Sequence, residues 1–131
     1  MLNVAYVGGR EKALQAYRQS RVETASPGEL VLMLYNACIR NMRDALSCIG
    51  EKDYAGANNN LLRAQDIMDE LRGSLNLDTG EIAKGLDAVY DFIYSSLVTA
   101  NLKKDPESIE GAMKVMAGIR DAWEEAIRNY G

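Results

Sequence analysis

The side chains of this 131-residue sequence that could do chemistry are carboxylates and thiols, and no histidine accompanies them. Asp87 and Asp91 are one helical turn apart, and the same is true of Asp121 and Glu125. Such pairs could hold a metal ion only if they faced partners on another helix. Without histidine there is no Ser-His or Cys-His pair and no Glu-x-x-His ligand set. We therefore predict no catalytic, metal or cofactor site and interpret the carboxylates as solvated faces.

The two cysteines, Cys38 and Cys48, lie ten residues apart on one predicted helix. That spacing corresponds to about 15 Å along the helix axis, which is too far for a disulfide. We therefore expect reduced thiols and a cytoplasmic location. We also expect no membrane insertion, since no apolar run approaches ~18 residues. The net charge is -4, with acidic residues in excess after residue 43. This balance and the scattered basic residues argue against nucleic-acid binding.

Four segments have the apolar spacing of long helices. The first starts at a capping box, in which Ser26 is followed by Pro27 and Glu29, and the last starts at Asp105 and Pro106. The links are short, so consecutive helices should run antiparallel. The expected fold is all-α, a single antiparallel up-down four-helix bundle with a short N-terminal capping helix. The predicted helices cover residues 26–50, 53–75, 80–103 and 105–130, after a disordered 1–10 and a cap segment 11–25.

The segments carry more apolar surface than one buried stripe each requires. The stripes assigned to the core include Leu30, Met33, Leu34, Tyr54, Ile82, Trp123 and Tyr130. Beside these stripes lie Val31, Tyr35, Leu62, Ile67, Tyr90, Tyr94 and Val98. Wide bundle packing would account for the aliphatic members. Tyrosine hydroxyls need partners or water, so Tyr90 and Tyr94 fit an interface as well as a core edge.

Wide apolar stripes on several helices predict a groove that receives the apolar face of another helix. The expected lining is Leu62, Gln65, Ile67, Tyr90, Tyr94, Leu97 and Asn101, of which Leu97 also belongs to a core stripe. Residues 58–60 are three asparagines, which suit either a fraying first turn or a polar rim of the groove. A cap segment bearing Leu14 and Tyr17 could cover the groove when it is empty.

The stretch AYRQSRVETASPGELVLMLYNACI resembles the start of the flagellin-specific export chaperone family FliS. The later stretches NLLRAQDIMDELRGSLNLDTGEIAKGLDAVYDFI, LVTAN and RDAWEEA are similar to the rest of that family in the same order. The resemblance implies a four-helix bundle that binds the C-terminal segment of flagellin, prevents its premature polymerisation and delivers it to the flagellar type III export gate. It also implies an N-terminal segment that cargo displaces. Tyr17 matches a tyrosine of that segment, whereas Leu14 stands where relatives often have an aromatic residue.

Two other classes of protein compete with this hypothesis. The surplus stripes could instead form a homodimer interface of a self-associating structural or adaptor bundle without flagellin cargo. An enzyme would require a bound metal or cofactor, for which the sequence offers no ligand set.

Overall fold

The computed structural model describes residues 12, 13, 15, 16, 19 and 25–130, and those before residue 25 are helical. Leu14 and Tyr17 of the predicted cap lie outside the described residues. Four long helices follow: α1 (Pro27–Gly50), α2 (Tyr54–Gly73), α3 (Glu81–Lys103) and α4 (Pro106–Tyr130), with a 3₁₀ turn at Leu77–Thr79. The described residues contain no β-strand. The all-α fold class is confirmed.

Local capping interactions set where the helices begin and end. The Ser26 side chain accepts a hydrogen bond from the Glu29 backbone N–H at 3.2 Å, which is the first half of the predicted capping box. Asp53 caps α2 in the same way through the N–H of Gly56. Lys104 ends α3 in the left-handed conformation, with φ 50°, and its backbone N–H bonds to Ala100. The Ser26 signal spans only three residues, which is why the sequence alone locates it.

The four helices form a ring in which each packs against its neighbours in the chain and α4 closes back onto α1. The link between α3 and α4 is two residues long, and the other links are also short. Helices joined by such links run antiparallel. α1 and α3 therefore lie diagonally across the core.

The core of the bundle is built from one buried stripe of each helix. Its fully buried large side chains are Tyr35, Cys38, Met42, Leu61, Met68, Leu71, Tyr90, Ile93, Leu97, Ile109 and Met116. Both cysteines are free thiols, as the spacing predicted. Burial raises the pKa of Cys38 to about 12, so this thiol is protonated and unreactive at neutral pH.

Tyr35 corrects one sequence interpretation, because it is core and not surplus surface. Its side chain is fully buried, and its hydroxyl pairs with that of Tyr90 at 2.5 Å across the bundle diagonal. Its ring makes edge contacts with Tyr90 and Trp123. Met33, assigned to the core from the sequence, instead lines a hollow on the surface of α1. Cys38, Met42 and Ala45 are buried with Tyr35 on α1, so the sequence interpretation of the core side fails at Met33 and Tyr35 and holds further along the helix.

Three further residues assigned to core stripes are exposed: Tyr54, Ile82 and Tyr130. Tyr54 and Tyr130 are the first residue of α2 and the last of α4, and Ile82 is the second residue of α3. At the ends of a bundle the facing helices have stopped, so a residue with core spacing finds no neighbour. Periodicity thus identified their face of the helix but overestimated their burial.

Replacing Tyr35 by phenylalanine is expected to cost about 1–3 kcal/mol of unfolding free energy, because the Tyr90 hydroxyl would remain buried without a partner. The double variant Tyr35→Phe/Tyr90→Phe should lose less than the two single variants combined, because it removes both hydroxyls together. Urea denaturation of the four proteins measures this coupling. Strictly additive losses would show that the two hydroxyls do not stabilise each other.

Candidate functional site

Polar contacts at both ends fix the alignment of α2 with α3. At one end the side-chain amide of Asn101 donates to the Oδ1 atom of Asn58 at 2.8 Å. At the other end Arg72 binds Asp87 and Asp91, at 3.1 Å each. One contact joins the start of α2 to the end of α3, and the other joins the end of α2 to the first half of α3. The two helices are therefore antiparallel.

Between these ends, helical spacing places a line of largely uncharged residues on each helix. On α2, Leu62 and Gln65 follow Asn58 by four and seven residues; on α3, Tyr94 and Val98 precede Asn101 by seven and three. Residues at such intervals lie on one side of a helix. We call Asn58, Leu62, Gln65, Tyr94, Val98 and Asn101 the α2–α3 surface. Leu62 is its most exposed apolar member, at 45%, whereas Tyr94 and Val98 are half-buried.

Four of the seven predicted groove residues belong to the α2–α3 surface: Leu62, Gln65, Tyr94 and Asn101. Gln65 is nearly buried, with 9% of its surface exposed. Ile67 follows Leu62 by five residues, which turns it about 140° around α2. It is partly buried against the core cluster. The structure therefore brings four of the seven residues to the junction of two helices and places Ile67 on another side of α2.

Tyr90 and Leu97 were predicted to line the groove, but the structure places both inside the core. Leu97 is fully buried and Tyr90 is 2% exposed. They lie at core spacing on α3 with Ile93, and the Tyr90 hydroxyl is satisfied by Tyr35. Of the two tyrosines for which interface and core edge were left open, Tyr90 is core and Tyr94 is half-buried.

The asparagines near the start of α2 make interhelical contacts. Besides the Asn58 contact with Asn101, the Asn60 side chain donates to Gly56 and to the Cys48 thiol. The Lys104 ammonium donates to the side-chain oxygen of Asn101 at 2.6 Å. Asn58 is thus held in a side-chain network that extends to Lys104. The sequence singled out the asparagine run but gave no signal for its partners, because these come from a different helix.

The carboxylate pair on α3 is bound by an arginine. The hydrogen bond that Arg72 donates to Asp87 is the largest cause of a raised pKa for Arg72, and the charge of Asp91 adds to it. Both aspartates are therefore paired with a cation on α2, a contact that the sequence did not predict. In the part of the chain that the structure describes, no three acidic or cysteine side chains come close enough to hold a metal ion.

The architecture defines the class of protein first: an antiparallel four-helix bundle like that in a crystal structure of a flagellar chaperone from bacteria. The TM-score is 0.75 at 23% sequence identity, covering 92% of this chain and 98% of that one. At that identity the likeness shows the fold. Within residues 12–19 and 25–130, as far as they are described, no helix is long and apolar enough to span a membrane.

The particular family follows from the sequence. The family model for the flagellar protein FliS matches residues 10–130. The chain is 41% identical over 114 residues to the flagellar secretion chaperone FliS of Bacillus subtilis, covering 87% of this chain and 85% of that protein. The proteins of the same name from Vibrio cholerae and Escherichia coli are each 31% identical, covering 90% and 88% of this chain and 90% of each relative. This protein belongs to the FliS family, and the resemblance seen in its sequence is confirmed.

Proposed function

We propose that this protein is a cytoplasmic export chaperone that binds the C-terminal helical segment of flagellin. In this role it prevents premature polymerisation of flagellin and delivers it to the flagellar type III secretion apparatus. Membership of the FliS family supports the chaperone role, because the relatives are named flagellar secretion chaperones. The observation that supports this binding site is the α2–α3 surface, in which Leu62 is exposed and Tyr94 is half-buried.

The α2–α3 surface suits an amphipathic helix because it is apolar along its middle and polar at both ends. Leu62 and Val98 offer aliphatic contacts, while the Tyr94 ring combines apolar area with a hydroxyl. Asn58 and Asn101 at one end can hydrogen-bond polar side chains of the ligand. The ion pairs of Arg72 mark the other end. A ligand helix would therefore bury its apolar face between two polar boundaries.

Of the seven predicted groove residues, Leu62, Gln65, Tyr94 and Asn101 are retained as proposed flagellin contacts. Leu62, Tyr94 and Asn101 can meet a ligand directly, and Gln65 is nearly buried at 9% exposure. Tyr90 and Leu97 support the surface from the core, and Ile67 lies on another side of α2. Leu14 and Tyr17 are proposed to cover the surface until flagellin displaces them. Because flagellin must compete with this cover, its apparent affinity is lowered and its binding stays reversible.

A titration with a flagellin C-terminal peptide tests the proposed function. We expect a one-to-one complex at micromolar concentration and a gain in helical circular dichroism, because the peptide orders on binding. Isothermal calorimetry gives the stoichiometry. A peptide of the same composition in scrambled order is the control, because it keeps the charge but destroys the apolar face. Equal binding of both peptides, or of neither, would rule out this function.

A further inference from the structure

The outward face of α3 has almost no charge. Its positions alternate in steps of four and three residues: Glu81, Gly85, Ala88, Phe92, Ser95, Thr99 and Leu102, all of them exposed. We call these seven residues the outer stripe. From Gly85 to Leu102 it runs for ~25 Å at the helical rise without a charged residue. Phe92 and Leu102 are 54% and 83% exposed.

The outer stripe differs from the exposed face of a normal bundle helix. On α4 the exposed residues include Glu110, Lys114, Asp121 and Glu125. Solvated helix faces are usually charged in this way, whereas a helix that is apolar or small on several sides is usually covered. The outer stripe is distinct from the α2–α3 surface, which lies on the neighbouring side of α3. The same helix thus exposes a second face with little charge.

Steps of four and three residues are the repeat of a two-helix coiled coil. An antiparallel pair of α3 helices can be centred between Phe92 and Ser95, so that the two copies are related by a two-fold axis. Every large side chain then meets a small one. The facing pairs are Gly85 with Leu102, Ala88 with Thr99, and Phe92 with Ser95 of the second copy.

Charges at the ends of the two α3 helices are complementary in the same alignment. Glu81 comes within three residues of Lys103 of the second copy along the axis, or about 4.5 Å. The two-fold axis repeats this pair. Shape and charge thus select the same arrangement, and neither was used to choose the other.

We propose that the outer stripe is an isologous interface through which two copies of this chain associate, α3 against antiparallel α3. A contact between two single helices is smaller than a standard protein interface, so the dimer should dissociate on dilution. The proposal does not rest on flagellin binding. Because α3 also contributes to the α2–α3 surface, a dimer would shield apolar area beside that surface.

Sedimentation equilibrium of the full chain tests the interface. The protein should show a concentration-dependent monomer–dimer equilibrium. Phe92→Ser should raise the dissociation constant at least about tenfold by removing the large side chain, and Ser95→Phe should do the same by placing two rings against each other. The matched control is Tyr54→Ser, since Tyr54 is also aromatic and 50% exposed but lies on α2.

Mixing the two variants gives the sharpest result. In a pair made of one Phe92→Ser chain and one Ser95→Phe chain, position 92 of each copy faces position 95 of the other, and each of these two contacts again combines a ring with a serine. We therefore expect the mixture to form heterodimers with close to the original affinity, although each variant alone dimerises at least about tenfold more weakly. The double variant Phe92→Ser/Ser95→Phe should also recover dimerisation. Circular dichroism melting confirms that each variant is folded, as expected for exposed positions.

Three outcomes would overturn the proposal. They are a monomer at every concentration, a dimer that neither substitution weakens, and a mixture that associates no better than its components. If the protein stays monomeric while Phe92→Ser weakens binding of the flagellin peptide, the outer stripe belongs to the flagellin contact. Peptide binding without dimerisation leaves the proposed function intact, so the two proposals fail separately.

Discussion

Replacing Trp123 by alanine is expected to lower the free energy of unfolding by about 3–5 kcal/mol. Trp123 joins α4 to α1 in two ways. Its indole N–H donates to the Gly28 carbonyl at 2.8 Å, and its ring makes an edge contact with Tyr35, with 6.1 Å between centroids. Truncation removes the packing and leaves the carbonyl without this donor. The hydroxyl pair of Tyr35 and Tyr90 then lies near a cavity on the side of Tyr35 that the indole ring occupied.

Urea denaturation measures this loss. An unchanged dependence of the unfolding free energy on urea concentration would show that the variant exposes as much surface on unfolding as the original protein. The control is Tyr130→Ala, because Tyr130 is aromatic, lies on the same helix and is 90% exposed. It should change stability by less than about 0.5 kcal/mol. Equal losses for the two variants would mean that Trp123 is not part of the packed bundle.

Placing an aspartate at position 62 is expected to reduce affinity for the flagellin C-terminal peptide at least about 30-fold, or ~2 kcal/mol. Leu62 is the exposed apolar residue at the middle of the α2–α3 surface. A carboxylate there would have to lose its water beneath the apolar face of the ligand without gaining a partner. The aspartates at positions 66 and 69 on the same helix add to the negative charge.

The matched control for Leu62→Asp is Leu77→Asp. The two leucines are 45% and 46% exposed, but Leu77 lies in the 3₁₀ turn after α2, beyond Arg72. The control should change affinity less than about threefold, because the added charge is the same and only its place differs. Calorimetry of both variants with one peptide compares them. A similar loss in both would indicate a general charge effect and would argue against the α2–α3 surface.

The helix boundaries and fold class could be predicted because their causes are local. The Ser26 side chain starts α1 by accepting a hydrogen bond from the backbone N–H three residues later, and the Asp105 side chain accepts one from the N–H two residues later at the start of α4. Short links then force antiparallel neighbours. No contact between distant parts of the chain is needed for either inference.

The candidate site could be predicted only in part, because periodicity gives the spacing of a stripe and not the helix that faces it. Neighbouring residues of a helix differ by about 100° in direction, so a small rotation exchanges core and surface. Tyr90 and Tyr94 have equal claims in the sequence. Tyr90 is buried because Tyr35 meets it across the bundle diagonal, whereas Tyr94, four residues further along α3, is half-buried.

The sequence by itself determined four helices with capping signals at the first and the last, their antiparallel order, the separation of the two thiols and the family to which the chain belongs. The tertiary structure alone decided that Tyr35 is core, that Arg72 binds the α3 aspartates and that Leu62 remains exposed. The physical reason is the distance along the chain over which each interaction acts. Capping and periodicity act within a few residues of the chain, whereas burial and side-chain pairing depend on groups from other helices.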